Sequence, residues 1–357
     1  VSRVPGRRAE LAGLEGYHSP QVPASVRINT NESPYEPPKA WRQELLDELA
    51  GVELHRYPDR RATRLCRALA DFHGVGPDEI FCANGSNEVL QCLLTAFGGP
   101  GRWALTFEPT YSLHAHIAQL TGTAVARAGR RADFTVDPEE AERRLAVDGP
   151  QLTFLCSPNN PTGTVESPEV VRRVVAAAPG LVVVDEAYGQ FASWSALDLR
   201  GQPGTAGVVV VRTFSKTWAL AGVRLGYLVA DPEVVAACWD AALPYHLSTL
   251  TQVAGVLALA HGTDMAARVA AVTSERTRLA AALGDLDGVE PVPSEANFIL
   301  LRCTTRPAGA VWDDLVARSV LVRDVSGRPG LEECLRVTVG TPEENDRFLD
   351  ALAGSLR

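Results

Sequence analysis

Lysine is nearly missing from this chain. Of 34 basic residues only Lys39 and Lys216 are lysines, and the rest are arginine. A sequence that uses arginine wherever a cation alone will serve marks a retained lysine as a place where arginine fails. A guanidinium stays protonated at any pH a protein meets, whereas an amine can lose its proton and attack a carbonyl. Lys39 follows Pro37-Pro38 in a polar stretch and reads as a solvated surface residue. Lys216 closes the segment Arg212-Thr-Phe-Ser-Lys216, directly after the apolar run Gly207–Val211.

Other shortages exclude whole classes of protein. No apolar run is long enough to span a bilayer, and the basic, polar start lacks the apolar core of a secretory signal. The sequence begins at Val1, which leaves its natural start open. Seven cysteines are scattered without a Cys-x-x-Cys pair, so they read as free thiols in a reducing cytoplasm, with no disulfide framework and no metal site. With 43 acidic against 34 basic residues the net charge is -9, which disfavours nucleic acid and anionic lipid as partners. No internal repeat stands out.

What is present is an ordinary globular composition in 357 residues, enough for about two domains. Residues 1–38, rich in Pro, Gly, Ser and Asn, read as an extended N-terminal arm that partly joins a small domain. A helical stripe (Trp41, Leu45, Leu46, Leu49) follows, then a second helix from about Arg60 to His73, ended by Gly74. From Ile80 onward short apolar runs alternate with helix-length segments: 80–82, 103–107, 123–125, 152–156, 181–184, 207–211 and 225–229. Continuous β-branched runs without polar alternation suit strands buried on both faces of a mainly parallel sheet. The fold class expected is therefore α/β, with a large domain over 39–245 whose central sheet lies between helices. Residues 246–357 change to long Ala/Leu/Arg-rich helices, strand-like runs at 297–301 and 334–339, and a final helix over 343–352. That pattern predicts a smaller α+β domain.

Three buried strands end in polar signals. Strand 152–156 runs into Ser157-Pro-Asn-Asn-Pro-Thr-Gly163, strand 181–184 into Asp185-Glu-Ala-Tyr188, and strand 207–211 toward Ser215-Lys216. Ligands of open α/β sheets sit beyond the carboxyl ends of the strands, so Asn160, Asp185, Tyr188 and Lys216 can meet one bound molecule. Pyridoxal 5'-phosphate fits that set: its aldehyde needs an amine, and its ring nitrogen needs an acid partner to stay protonated. Lys216 and Asp185 suit those two tasks, and Asn160 and Tyr188 can hydrogen-bond the phenolic oxygen. Taken alone, Asp185 reads first as a cap on local amides; with Lys216 beside it in the pattern, the ring partner becomes the better reading. For the phosphate, Asn84-Gly85-Ser86-Asn87 stands before an apolar helical stretch, where free amides and the helix dipole favour an anion. An ordinary serine cap would look the same. Ser215 and Arg224 can add a hydroxyl and a guanidinium. Tyr111 follows a strand end and either stacks on the cofactor or packs in the core.

Together these segments resemble the fold-type I, pyridoxal-phosphate-dependent aminotransferases, and within them the histidinol-phosphate aminotransferases. The likeness runs nearly the whole length, through Asn29-Thr-Asn-Glu-Ser-Pro-Tyr35, Arg56-Tyr-Pro-Asp59 and Gly85-Ser-Asn-Glu88, and through the three strand-end motifs above. It continues in Thr213-Phe-Ser-Lys-Thr-Trp-Ala-Leu-Ala-Gly-Val-Arg224, Pro244-Tyr-His-Leu-Ser-Thr249, Ser294-Glu-Ala-Asn-Phe298, Val322-Arg-Asp324 and Leu335-Arg-Val-Thr-Val-Gly-Thr341.

The resemblance implies that Lys216 bonds the cofactor aldehyde and later moves a proton. Asp185 faces the ring nitrogen, and Asn160 and Tyr188 face the phenolic oxygen. Ser86, Asn87, Ser215 and Arg224 hold the phosphate. Tyr57 reaches the neighbouring subunit's phosphate, which implies a homodimer with shared sites. Tyr17, Asn31, Arg323 and Arg336 bind substrate, the two arginines facing the phosphate of histidinol phosphate; a local reading pairs Arg323 with Asp324 or Glu332 instead. The implied reaction passes an amino group from L-histidinol phosphate to a 2-oxo acid, 2-oxoglutarate, by a ping-pong cycle.

The chain departs from the family pattern at Ser33, where a second Asn is commoner, at Glu36, where Gly is usual, and at His18-Ser-Pro20 after Tyr17. These changes bear on substrate identity and leave the cofactor untouched. The alternatives are an aromatic or other amino-acid aminotransferase and a decarboxylase of a phosphorylated amino acid. A regulator that senses the cofactor ranks last, since the residues before 29 leave no room for a DNA-binding extension.

Overall fold

Unbroken valine runs belong where a strand is covered on both faces. The computed structural model describes residues 22–357 and, ahead of them, residues 6, 8, 11, 14 and 16, and it puts these runs inside a seven-stranded sheet. After a short strand β1 (Val26–Arg27), the sheet is built from β2 (Ile80–Ala83), β3 (Trp103–Glu108), β4 (Ala124–Gly129), β5 (Leu152–Cys156), β6 (Leu181–Asp185), β7 (Val208–Thr213) and β8 (Gly226–Val229). Each of the seven apolar runs is one of these strands. Their order is β2-β8-β7-β6-β5-β3-β4, and every pairing is parallel except those of β8, which runs antiparallel to β2 and β7.

Alternation along each strand sorts side chains to two helical layers. Val183, Val209 and Val211 pack with the helices Thr63–His73, Ser86–Phe97 and Pro232–Ala241. Val182, Val184, Val208 and Val210 pack on the opposite face with Pro138–Asp148 and Pro168–Ala177. Each valine so buried contributes about 1.5–3 kcal/mol relative to exposure. Helix starts are written locally. Asp137, Ser167, Asp231 and Thr341 each cap with a side-chain oxygen and are each followed by Pro, which loses nothing at a first helical position.

The second layer is a four-stranded antiparallel sheet. It is built from β9 (Val289–Pro291), β10 (Phe298–Cys303), β12 (Arg323–Asp324) and β13 (Cys334–Thr338), ordered β12-β13-β10-β9. The short strand β11 (Val320–Leu321) pairs in parallel with β1, so Val26 and Ile28 of the arm enter the small core. Packing changes hands along the helix Gly262–Gly284 and not at residue 245, where the sequence pattern shifts. Leu247, Ala254, Ala258 and Met265 lie in the core of the large sheet, whereas Val272, Leu279 and Leu283 lie with the small one. Among the described residues no helix is long and apolar enough to cross a membrane.

The junction of β8 with the start of the helix Ser86–Phe97 is backbone against backbone. A Cβ on Gly226 would stand 2.2 Å from the Ser86 amide nitrogen and 2.4 Å from the Gly85 carbonyl carbon. Gly226→Ala should therefore destabilise the protein by roughly 1–3 kcal/mol, as overpacking does, read as a lower denaturant midpoint in urea. An unchanged midpoint would mean that this edge of the sheet has slack.

Candidate active site

Parallel strands deliver their carboxyl ends to one edge. Cys156 is in register with Asp185, and Asp185 with Val211, so the loops after β5, β6 and β7 emerge side by side. Because β8 runs the other way, its first residues return to that same edge. Thr213 pairs with Gly226, and Gly226 with Ala83. The result is a cavity of about 210 Å³ lined by Asn31, Ser86, Asn87, Tyr111, Asn160, Asp185, Tyr188, Ser215, Lys216, Arg224 and Arg336, together with Thr30, Glu32 and Thr213. Eleven of the fourteen candidate residues meet there. A larger groove of about 1010 Å³, lined by Glu108, Ser112, His116, Arg127, Arg302 and Arg328 among others, holds none of them; converging polar groups, not size, mark the site.

Of the other three candidates, two lie elsewhere. Tyr57 is 81% exposed and stacks on Tyr245 with ring centroids 4.5 Å apart, outside this chain's own cavity. Arg323 is not in the lining, although it is the direct cross-strand partner of Arg336, so the two side chains share one face of the small sheet. Tyr17 lies outside the described residues.

Inside the cavity the Lys216 amine donates to the Thr30 carbonyl at 3.0 Å. The residue opens on the cavity, yet protein surrounds its amine. Burial draws its pKa down to about 7, Arg336 and Arg224 push the same way, and Glu32 opposes them. At neutral pH a sizeable share of this lysine is thus a free base. Asp185 is buried; its Oδ1 accepts from the Ala187 amide, and its Oδ2 lies 2.9 Å from His114 Nε2. An ionised carboxylate can only accept, so His114 is the donor there.

Tyr188 receives hydrogen bonds from the side-chain amides of Asn31 at 3.0 Å and Asn160 at 3.4 Å. Burial lifts its hydroxyl to about 12, against the pull of Arg336 and Asn31, which keeps it a proton donor. Arg336 is buried under the cavity, bonded to Asn160 Oδ1 at 2.7 Å and the Asn29 carbonyl at 2.8 Å, with its guanidinium over the Phe298 ring.

The opposite end is an anion cradle. Gly85, at φ +81°, precedes the helix Ser86–Phe97, whose first amides have no helical acceptor. A Cβ there would stand 2.5 Å from Arg224 Nη2. Arg224 itself sits in the left-handed region at φ 57°, and its Nη1 lies 3.4 Å from Ser215 Oγ. Amine, carboxylate, hydroxyl and anion cradle around one cavity can hold a flat, phosphorylated aldehyde.

Some supporting residues escape sequence reading. His114 lies three residues beyond Tyr111, so the same strand-end rule applied to β3 reaches it. Asn159 looks interchangeable with Asn160, but it is wholly buried in bonds to Thr110, Pro109 and Thr162 and holds the loop, while Asn160 faces the cavity. The Arg212–Glu186 pair, with Ser195, ties down the strand ends beneath.

The family model for aminotransferase class I and II matches residues 24–352, and the chain belongs to that family. Among its relatives, the histidinol-phosphate aminotransferase of Corynebacterium efficiens is 45% identical over 354 residues, covering 97% of this chain and 94% of that one. That of Thermobifida fusca is 46% identical over 358 residues, with coverage of 97% and 94%. The crystal structure of the Sinorhizobium meliloti histidinol-phosphate aminotransferase in complex with pyridoxal-5'-phosphate superposes with a TM-score of 0.89, at 24% identity and over 99% of each chain. It shares the fold.

With only two lysines in the chain, the amine can be watched directly. In ¹⁵N-lysine NMR of the cofactor-free protein, Lys216 should titrate with a midpoint near pH 7, protonated below and neutral above. Lys216→Ala assigns the signal by removing it. A midpoint at the usual lysine value of about 10.4 would mean the amine is solvated.

Proposed function

We propose that this chain binds pyridoxal 5'-phosphate and transfers the amino group of L-histidinol phosphate to 2-oxoglutarate, as a homodimer in the cytoplasm. The observation that carries the cofactor reading is that Lys216 and Asp185 open on one cavity with an anion cradle at its end. The donor reading is supported by the names of relatives some 45% identical over 97% of the chain.

Bound pyridoxal phosphate supplies an aldehyde for an amine and a protonated ring that draws electron density from the substrate's reacting carbon. Ser86, Asn87, Ser215 and Arg224 would hold its phosphate, and Asp185, fixed by His114, would keep the proton on its ring nitrogen. Tyr188 and Asn160 would donate to its phenolic oxygen. With substrate bound, the Lys216 amine would be the base that takes the proton from the substrate's Cα; a folded-state pKa near 7 matches it to that task. Arg336 would meet the phosphate of histidinol phosphate, with Arg323 beside it. Exposed Leu54, Tyr57, Leu243 and Tyr245 suit a subunit interface through which Tyr57 reaches the partner's site.

One observation favours a second reading. Arg323 is outside the cavity lining, and a single arginine at the floor is what an α-carboxylate needs, as in an aromatic or other amino-acid aminotransferase.

A substrate panel decides between them. Histidinol phosphate should exceed phenylalanine in kcat/KM, and the reverse order would overturn the donor assignment. Lys216→Ala should abolish turnover. Arg336→Ala should cost about 2–5 kcal/mol in kcat/KM for histidinol phosphate, as for loss of a charge facing a buried anion. Arg323→Ala should weaken the same substrate; no effect would remove Arg323 from the phosphate clamp.

A further inference from the structure

Two acids line the active-site cavity, and they are differently occupied. Asp185 is engaged by His114 and the Ala187 amide. Glu32 is exposed at the opening of the cavity, and its Oε2 accepts from Thr30 Oγ1 at 2.7 Å. No ion pair involves it among the described residues. The other charged groups of the lining are cations: Lys216, Arg224 and Arg336. Glu32 is tied to the amine's surroundings through one residue, since the Thr30 that binds its carboxylate also gives its carbonyl to Lys216.

An aminotransferase admits two kinds of molecule to one cavity in turn. The donor brings an ammonium to the place where Lys216 reacts, and the acceptor brings a keto oxygen and its carboxylates. A cationic cavity by itself favours the acceptor and opposes the donor's ammonium. A carboxylate at the opening works the other way. We propose that Glu32 is a specificity-determining residue that attracts the ammonium group of the amino donor and, by the same charge, weakens binding of the dicarboxylate acceptor. This rests on the reading that a donor and a 2-oxo acid exchange at this site. Lys216, itself an ammonium in the cavity when protonated, already feels Glu32 as a charge that favours its protonated form.

L-Glutamate and 2-oxoglutarate make the test clean, because they share both carboxylates and differ at the ammonium. In half-reactions of the loaded enzyme, Glu32→Gln should raise the apparent Kd for glutamate roughly two- to fivefold and lower that for 2-oxoglutarate by a similar factor, the range for an exposed charge pair. Glutamine keeps an oxygen for Thr30, so the loop geometry is retained, and Glu32→Ala should give the same signs. Both effects should shrink as salt is raised.

A second readout uses the cofactor-free protein. The rate of covalent pyridoxal phosphate capture should fall off in acid with a midpoint near 7 in the wild type. In Glu32→Gln that midpoint should move lower, since an ammonium that loses a nearby negative charge gives up its proton more readily, while Arg336, Arg224 and Asp185 are unchanged. Affinities that change in the same direction, or not at all, overturn the proposal, as does a capture midpoint that stays or rises. If the wild type uses glutamate but ignores histidinol phosphate, the donor assignment falls and Glu32 is still judged on the glutamate pair.

Discussion

An amine enclosed by protein and flanked by two guanidiniums cannot hold its proton far above neutrality, and the active site is arranged around that constraint. Among the described residues no carboxylate bonds Lys216; its amine meets a backbone carbonyl, and Arg336 and Arg224 line the same cavity. Desolvation and like charge both favour the neutral base. Arginine at this position would stay charged and unreactive, which is the physical content of a chain that spells nearly every other cation as arginine. The surrounding donors are tuned the opposite way: Tyr188 is driven upward by the same burial, so it keeps its proton where the lysine gives one up.

That cavity takes its shape because one strand is reversed. The five strands β3 to β7 of the large sheet are parallel to one another and send their loops to one edge. A parallel strand in place of β8 would have carried Arg224 to the far side. Running β8 backward brings residues 224–226 to the edge where Lys216 has just emerged. There they meet Ala83–Ser86, also at a strand end. The close approach at Gly226 and the left-handed backbone at Arg224 are consequences of this return, in which two loops and a helix start compete for the same few ångströms.

The strands were legible because burial on both faces writes itself as unbroken β-branched runs, and the site was legible because polar residues interrupt those runs at their ends. Helix starts at Asp137-Pro138 or Thr341-Pro342 are local chemistry and can be read directly. What could not be read depends on tertiary placement. Asn159 and Asn160 are identical neighbours, and only the bonds of Thr110 and Thr162 decide which one supports the loop. The helix Thr249–Ala260 looks like the start of the small domain because its composition changes there. Its apolar face nevertheless fits the large core, and composition does not say against what a face will pack. The short strands β1, β9, β11 and β12 are too brief to show a period. Arg323 shares a sheet face with Arg336, a relation set by register and invisible in spacing.

The arm shows how departures from a family pattern should be weighed. Four successive residues of it meet the site: the Asn29 carbonyl accepts from Arg336, the Thr30 carbonyl accepts from Lys216, the Asn31 amide donates to Tyr188, and Glu32 lines the opening. Asn31, at φ 56°, is also bound to Thr338 and Asn297, which ties this stretch to the small sheet. Two of the unusual residues, Ser33 and Glu36, come just after. Ser33 closes a tight turn with both the amide and the carbonyl of Tyr35, and Glu36 pairs with Arg42 on the surface. Neither lines the cavity. Serine can make that turn as well as asparagine, and Glu36 answers to a surface arginine, so these two substitutions fit the local backbone and surface of the arm and leave the lining intact. Ser33 and Glu36 thus stand close in sequence to the residues that touch the cavity but apart from it in space, and His18-Ser-Pro20 lies outside the described residues.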